Sequence, residues 1–228
     1  MKHIGIVGVT AEGASLCYRT IVSEAGKKLG QYHHPEISLH NVSFHEIFQS
    51  QTRGDWENVA NIILYSVKKL AASGADFIIM PANSTHFVFD RIKKKSPVPF
   101  LSLVELTAQE CRKRGMKRVL VLGVGMTMRD KLYKKNLERY GIEHVVPTAS
   151  DQKVINEVIM DEIVPAKVSS GSVKKITGII EKMKKDGCDG VILGCTELPI
   201  VIDDKSSPLP AIDTTRLLAQ KALEYAIS

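Results

Sequence analysis

The chain has 228 residues, of which 44% are hydrophobic and 25% charged, with a formal net charge of +6. At this length roughly 70–75% of the unfolded surface can be buried, so neither a metal nor a disulfide is needed to hold a core. No apolar run approaches the roughly 20 residues of a membrane span, no signal-peptide core precedes the first strand-like run, and the cysteines form no CxxC or zinc-type spacing.

These features predict a cytoplasmic protein with reduced thiols and no membrane partner. The positive charge gathers in short clusters, Lys93–Lys95, Lys134–Lys135 and Lys182 with Lys184–Lys185. They fall on helix-like segments and read as solvated faces. No nucleic-acid motif accompanies them, so no nucleic-acid partner is expected, whereas a small anionic substrate would be drawn in.

In chain order, Ile4–Gly8 is a β-branched run of the kind a parallel sheet buries on both faces. Thr10 opens the loop that follows it, and Cys17 sits in a helix beyond. Glu57–Ser73 places Val59, Ile62, Ile63, Val67 and Leu70 at helical spacing and stops at Gly74. A strand over Phe77–Met80 leads to the polar loop Pro81–His86. Pro97 and Pro99 break the chain, and Leu103–Arg114, carrying Cys111, is helical. Val119–Gly123 is again a buried strand. Lys174–Asp186 has Ile176, Ile179, Ile180 and Met183 on one helical face and stops at Gly187. Cys188 precedes the strand Gly190–Leu193, which leads to the loop Gly194–Pro199. Ser206–Pro210 is a second break, and Thr214–Ala226 is an amphipathic helix expected to pack back on the first half.

The chain repeats itself. Met1–Val9 (MKHIGIVGV) resembles Met116–Val124 (MKRVLVLGV), and Gly74–Asn83 (GADFIIMPAN) resembles Gly187–Thr196 (GCDGVILGCT). Both offsets are close to half the chain, as expected of duplication. The predicted architecture is α/β: two similar doubly wound parallel-sheet lobes related by a pseudo-twofold duplication, residues 1–98 plus 209–228 and residues 99–208. Ligands of such sheets bind beyond the carboxyl ends of the strands. The active site is therefore expected in the cleft between the lobes, where Ala82 and Cys195 fall at equivalent positions.

Cys195 is the sharpest candidate. A helix starting near Thr196–Pro199 would aim amides at the sulfur, lower its pKa toward 7 and make it a capable base. Asn83, Ser84 and Thr85 offer an amide, hydroxyls and backbone N–H groups that could cradle a carboxylate. Thr196 and Glu197 form the matching shell, Glu197 receiving a substrate ammonium or capping a helix start. Cys17, Cys111 and Cys188 read as packing residues. Gly123-Val124-Gly125 lacks the third glycine of a dinucleotide loop and no Walker sequence is present, so no cofactor is expected.

Gly194-Cys195-Thr196-Glu197-Leu198-Pro199 and Ala82-Asn83-Ser84-Thr85-His86 resemble the aspartate/glutamate racemase superfamily, over essentially the whole chain. His40–Ile47 (HNVSFHEI), with Gln51, Arg53-Gly54 and Trp56, is similar to the branch that accepts L-aspartate or L-glutamate. The resemblance implies racemisation without a cofactor: one group takes the Cα proton, and a second on the opposite face returns one. It implies Cys195 as one of these groups. It further implies Asn83, Ser84 and Thr85 at the α-carboxylate, Thr196 and Glu197 on the polar side, Gln51 and Thr10 as substrate contacts, no metal, and a homodimer. Glu197, where cell-wall glutamate racemases have His, argues against that subgroup. A lysine that some relatives use for substrate aligns near Val164, so that contact is absent.

The family usually has Cys where this chain has Ala82. The readings that follow are a racemase in which Ala82 is an engineered replacement or a natural impairment; a racemase whose second face is served by Ser84, Thr85, Thr10 or water; a one-sided single-thiol enzyme resembling arylmalonate decarboxylases; or a degenerate protein that binds an acidic metabolite. Aspartate and glutamate differ by one methylene of pocket depth, worth only about 1–3 kcal/mol, and the motifs do not separate them.

Overall fold

A computed structural model describes residues 1–129, 132–165 and 167–228. The chain divides into two compact units, Met1–Leu106 with Thr215–Ser228, and Thr107–Thr214.

The first unit contains β1 (Ile4–Gly8), α1 (Ala11–Leu29), β2 (Ile37–Asn41), α2 (Phe44–Thr52), α3 (Trp56–Ala72), β3 (Phe77–Ile79), α4 (Phe89–Lys95) and the start of α5 (Leu103–Lys113). Its strands are parallel in the order β2-β1-β3. Every residue of β1 is buried, which is why the run shows no apolar–polar alternation. Val59, Ile63, Val67 and Leu70 of α3 bury against Val7, Ile78 and Met80.

The second unit contains the rest of α5, then β4 (Arg118–Leu122), α6 (Gly125–Arg129), α7 (Lys134–Glu138), β5 (Glu143–Val145), α8 (Ala149–Glu157), α9 (Ser170–Lys185), β6 (Gly190–Leu193) and β7 (Ala211–Asp213). Its parallel sheet runs β5-β4-β6-β7. α8 continues into a π-helical turn, Val158–Ile163. Ile176, Ile179, Ile180 and Met183 of α9 bury against Val191 and Leu193, as their spacing predicts. The last helix, α10 (Thr214–Ile227), returns to the first unit. There the Lys2 N–H donates to the Ala226 carbonyl at 2.8 Å and the Tyr225 ring meets Phe77 edge-on, centroids 4.8 Å apart.

The sequence repeat is a repeated device. Gly74 (φ +92°) and Gly187 (φ +90°) end α3 and α9 in a conformation that disfavours other residues. Two residues later an aspartate caps the edge of the neighbouring strand: Asp76 accepts the His3 N–H at 2.7 Å, and Asp189 accepts the N–H groups of Lys117 and Arg118 at 2.7 and 3.0 Å. The halves differ at the fourth strand. Where the second unit has β7, the first has only a parallel bridge between Phe100 and Ile78.

The same pairings explain why the units divide at 106/107 and 214/215, not at the 98/99 and 208/209 expected from the proline breaks. Phe100 belongs to the first sheet through Ile78, and Ala211–Asp213 pairs with β6.

Candidate active site

In the second unit, β6 delivers Gly194 so close to β4 that its N–H donates to the Leu122 carbonyl at 2.7 Å. A Cβ at residue 194 would lie 2.7 Å from that same oxygen, so only glycine fits. The chain then turns through Cys195, Thr196 and Glu197, closed by the Leu198 N–H donating to the Cys195 carbonyl at 3.2 Å. This turn folds the Glu197 side chain back over the sulfur. The Cys195 thiol donates to Glu197 Oε2 at 2.8 Å, and the Thr196 hydroxyl donates to the same oxygen at 2.7 Å. All three side chains are buried.

Two expectations are corrected here. No α-helix starts after Cys195; only a 3-10 turn, Leu198–Ile200, follows, and Glu197 makes no capping hydrogen bond to it. Nor is the thiol acidified. Burial pushes its pKa well above the ordinary thiol value, and the charge and hydrogen bond of Glu197 push it further. The N–H groups of Glu197 and Thr196 oppose this without overcoming it. Desolvation of a thiolate outweighs two amides and is compounded by a carboxylate.

Beside this turn, Thr127 of α6 is fully buried, and its hydroxyl has no hydrogen-bond partner among the described residues. Its methyl carbon is 3.2 Å from where a Gly194 Cβ would be. Tyr133 is also fully buried, bonded to Thr107 and Thr214, with its phenol pKa raised by burial.

In the first unit, Thr10 caps α1, its hydroxyl accepting the Gly13 N–H at 3.2 Å. The loop after β3 is held from within. The Ala82 carbonyl accepts from the Thr85 hydroxyl at 3.1 Å and from His86 Nδ1 at 2.7 Å. His86 Nε2 accepts the Leu103 N–H at 3.1 Å, which fixes the neutral tautomer with the proton on Nδ1. Its ring stacks on Phe89, and burial lowers its pKa to about 4. Thr85 is fully buried, and its hydroxyl points inward to Ala82 and to the Met80 sulfur. Ser84 is half-buried and accepts from Gln51 Nε2 at 3.1 Å. Asn83 and Ala82 are buried beside it.

The structure thus joins Gln51 to Ser84 in one unit, and Cys195, Thr196 and Glu197 in the other. Sequence reasoning missed three things: the thiol–carboxylate contact, the buried Thr127 hydroxyl, and the His86 link from position 82 to α5. The four-residue spacing of Ala82 and His86 was the available signal for the last. The other cysteines are buried, and burial drives the Cys111 pKa up to about 12 and raises that of Cys188. No helix among the described residues is long and apolar enough to cross a membrane.

Comparison with known proteins gives one answer. The Asp/Glu/Hydantoin racemase family model matches residues 6–222. The chain is 29% identical over 169 residues to the broad specificity amino-acid racemase RacX of Bacillus subtilis, covering 74% of this chain and 73% of that protein. Among solved structures, an aspartate racemase homologue from Pyrococcus horikoshii superposes with a TM-score of 0.89 at 33% identity, over 100% of both chains. The Picrophilus torridus aspartate racemase gives 0.79 at 25% identity, over 99% of this chain and 94% of the other.

Proposed function

The chain belongs to the Asp/Glu/Hydantoin racemase family, and from that premise we propose that it racemises aspartate or glutamate without a cofactor, with Cys195 moving the Cα proton. The observation that carries this reading is a buried thiol at a strand end, hydrogen-bonded to a buried carboxylate. A thiol held at a buried strand end can pass a proton to and from a weak carbon acid during reaction and re-equilibrate with solvent between encounters. Asn83 and Ser84 are assigned to the α-carboxylate, with Gln51 orienting Ser84. Thr10, Thr85, Thr196 and Glu197 complete the surroundings, Thr85 by holding the loop.

Residue 82, the counterpart of Cys195 in the repeat, is a methyl group and transfers no proton. That favours a second reading, a one-sided enzyme in which Cys195 exchanges the Cα proton of one enantiomer without inverting it.

Incubation in deuterated water with a panel of acidic and neutral amino acids tests both readings. Racemisation predicts Cα deuterium in both enantiomers of aspartate or glutamate and loss of optical activity; the one-sided reading predicts deuterium without inversion. Cys195→Ser should lower exchange by about 10²–10⁴-fold. Undiminished exchange in that variant overturns the assignment of Cys195.

A further inference from the structure

We propose that Glu197 is the proton partner of Cys195, its carboxylate taking the thiol proton when the sulfur acts as a base and returning it when the sulfur acts as an acid. This rests on the racemase reading and goes beyond it, because it moves Glu197 from the substrate's polar shell into the proton path.

The geometry carries the argument. The thiol proton points along a 2.8 Å contact to Glu197 Oε2. The same oxygen accepts from Thr196 at 2.7 Å, so Oε2 already holds two donors, which leaves Oε1 of the same carboxylate for a substrate ammonium. The side chain does not cap the turn it starts. Its position is therefore accounted for by the sulfur.

Electrostatics gives the pair a reason to share one proton. The contact is buried, and a thiolate facing a carboxylate across it would place two like charges together in a poorly solvated site. Moving the proton from sulfur to oxygen breaks S–H, forms O–H and leaves the net charge of the pair unchanged at minus one. The thiolate so formed takes the Cα proton; the C–H electron pair stays on the substrate, delocalised toward its α-carboxylate. The pair then holds a thiol and a carboxylic acid. Exchange of the sulfur-bound proton with solvent, return of a proton from sulfur to carbon and transfer from oxygen to sulfur restore the starting state with a solvent-derived proton on carbon. The charge acting on the sulfur is that of Glu197, so a neutral replacement should change its titration directly.

Two readouts on the purified protein separate this role from a structural one: ultraviolet thiolate absorbance against pH, with Cys195→Ser subtracted, and Cα deuterium exchange. In Glu197→Gln the Cys195 thiolate should appear at lower pH, by about 1–3 units, while exchange falls about 10²–10⁴-fold. A more acidic thiol that exchanges less is what loss of the proton acceptor predicts. An unshifted titration, or exchange within about threefold of wild type, overturns the proposal. Should the Gln variant not fold by circular dichroism, Thr196→Val keeps the carboxylate and removes one of its donors. With that donor gone the carboxylate is freer to take the thiol proton, so Cα exchange should rise; exchange at or below the wild-type rate overturns the proposal. Absence of Cα exchange from every amino acid in the wild type would sink the racemase reading, while the thiolate titrations would still decide whether the pair shares its proton.

Discussion

The Gly194 N–H donates to the Leu122 carbonyl at 2.7 Å, joining the ends of β6 and β4 where the chain turns into Cys195. The approach is mutual: a Cβ at Gly123 would lie 2.8 Å from the Gly194 carbonyl oxygen. Backbone atoms at a strand junction cannot yield as a flexible side chain can. Gly194→Ala should therefore cost about 1–3 kcal/mol of stability and, by displacing the thiol, lower Cα exchange about 10²-fold. Gly178→Ala is the contrast. That glycine is exposed within α9 and a Cβ there would meet nothing within 4 Å, so the change should stabilise by about 0.8–1.0 kcal/mol. Urea unfolding midpoints check both, and equal midpoints for the two variants would remove the packing argument.

Much of this arrangement was legible in the sequence because the duplication writes its constraints twice. Gly74 and Gly187 mark helix ends, to which the structure gives a positive φ, whereas the strand caps of Asp76 and Asp189 emerge only from the fold. The edge strands were not legible. β2 mixes exposed and half-buried residues and β5 has only three residues, so neither shows a buried run. Pro199 did signal a helical turn, but Leu198 bonding back to the Cys195 carbonyl tightens it to three residues. The state of the thiol is not legible for a physical reason: a helix start near Thr196–Pro199 suggests amides aimed at the sulfur, whereas acidity depends on burial and on where the Glu197 carboxylate folds, which no linear spacing encodes.

His86 gives the first unit a pH dependence. Its pKa is about 4 folded and near the ordinary 6.5 unfolded. Between these values the unfolded chain binds more protons, so stability is lost as pH falls from 6.5 toward 4, by about 3 kcal/mol from this group. Below pH 4 the group adds no further loss. His86→Asn, which can donate to a carbonyl and accept from an N–H without titrating in this range, should flatten that part of the profile. Denaturant unfolding at a series of pH values provides the check; an unchanged slope in the variant would show that other groups carry it.

Thr127 offers a test of the second unit's interior. Its hydroxyl is buried without a partner among the described residues, and an unsatisfied buried group costs about 1–3 kcal/mol. Thr127→Val preserves the shape and removes the orphaned atom. Stability should stay unchanged or rise by about 1 kcal/mol, read from the thermal midpoint. A clear loss would mean that the hydroxyl is satisfied in solution.

Ala82 is where activity can be gained. Its carbonyl is pinned by Thr85 and His86 and its N–H donates to the Met80 carbonyl at 2.9 Å, so the backbone that would carry a thiol is already fixed. Thr85 turns its hydroxyl inward to Ala82 and Met80, whereas Ser84 bonds to Gln51 and is half-buried. On the racemase reading, Ala82→Cys should raise the rate of inversion about 10²-fold or more, the usual worth of a positioned acid–base group, while exchange at the face assigned to Cys195 changes little. Following optical rotation and Cα deuterium together on aspartate and glutamate separates the two effects. If inversion in the wild type already matches exchange, the second face has a competent group and the added thiol should bring no gain; Ser84→Ala in the wild type would then identify whether that group is Ser84.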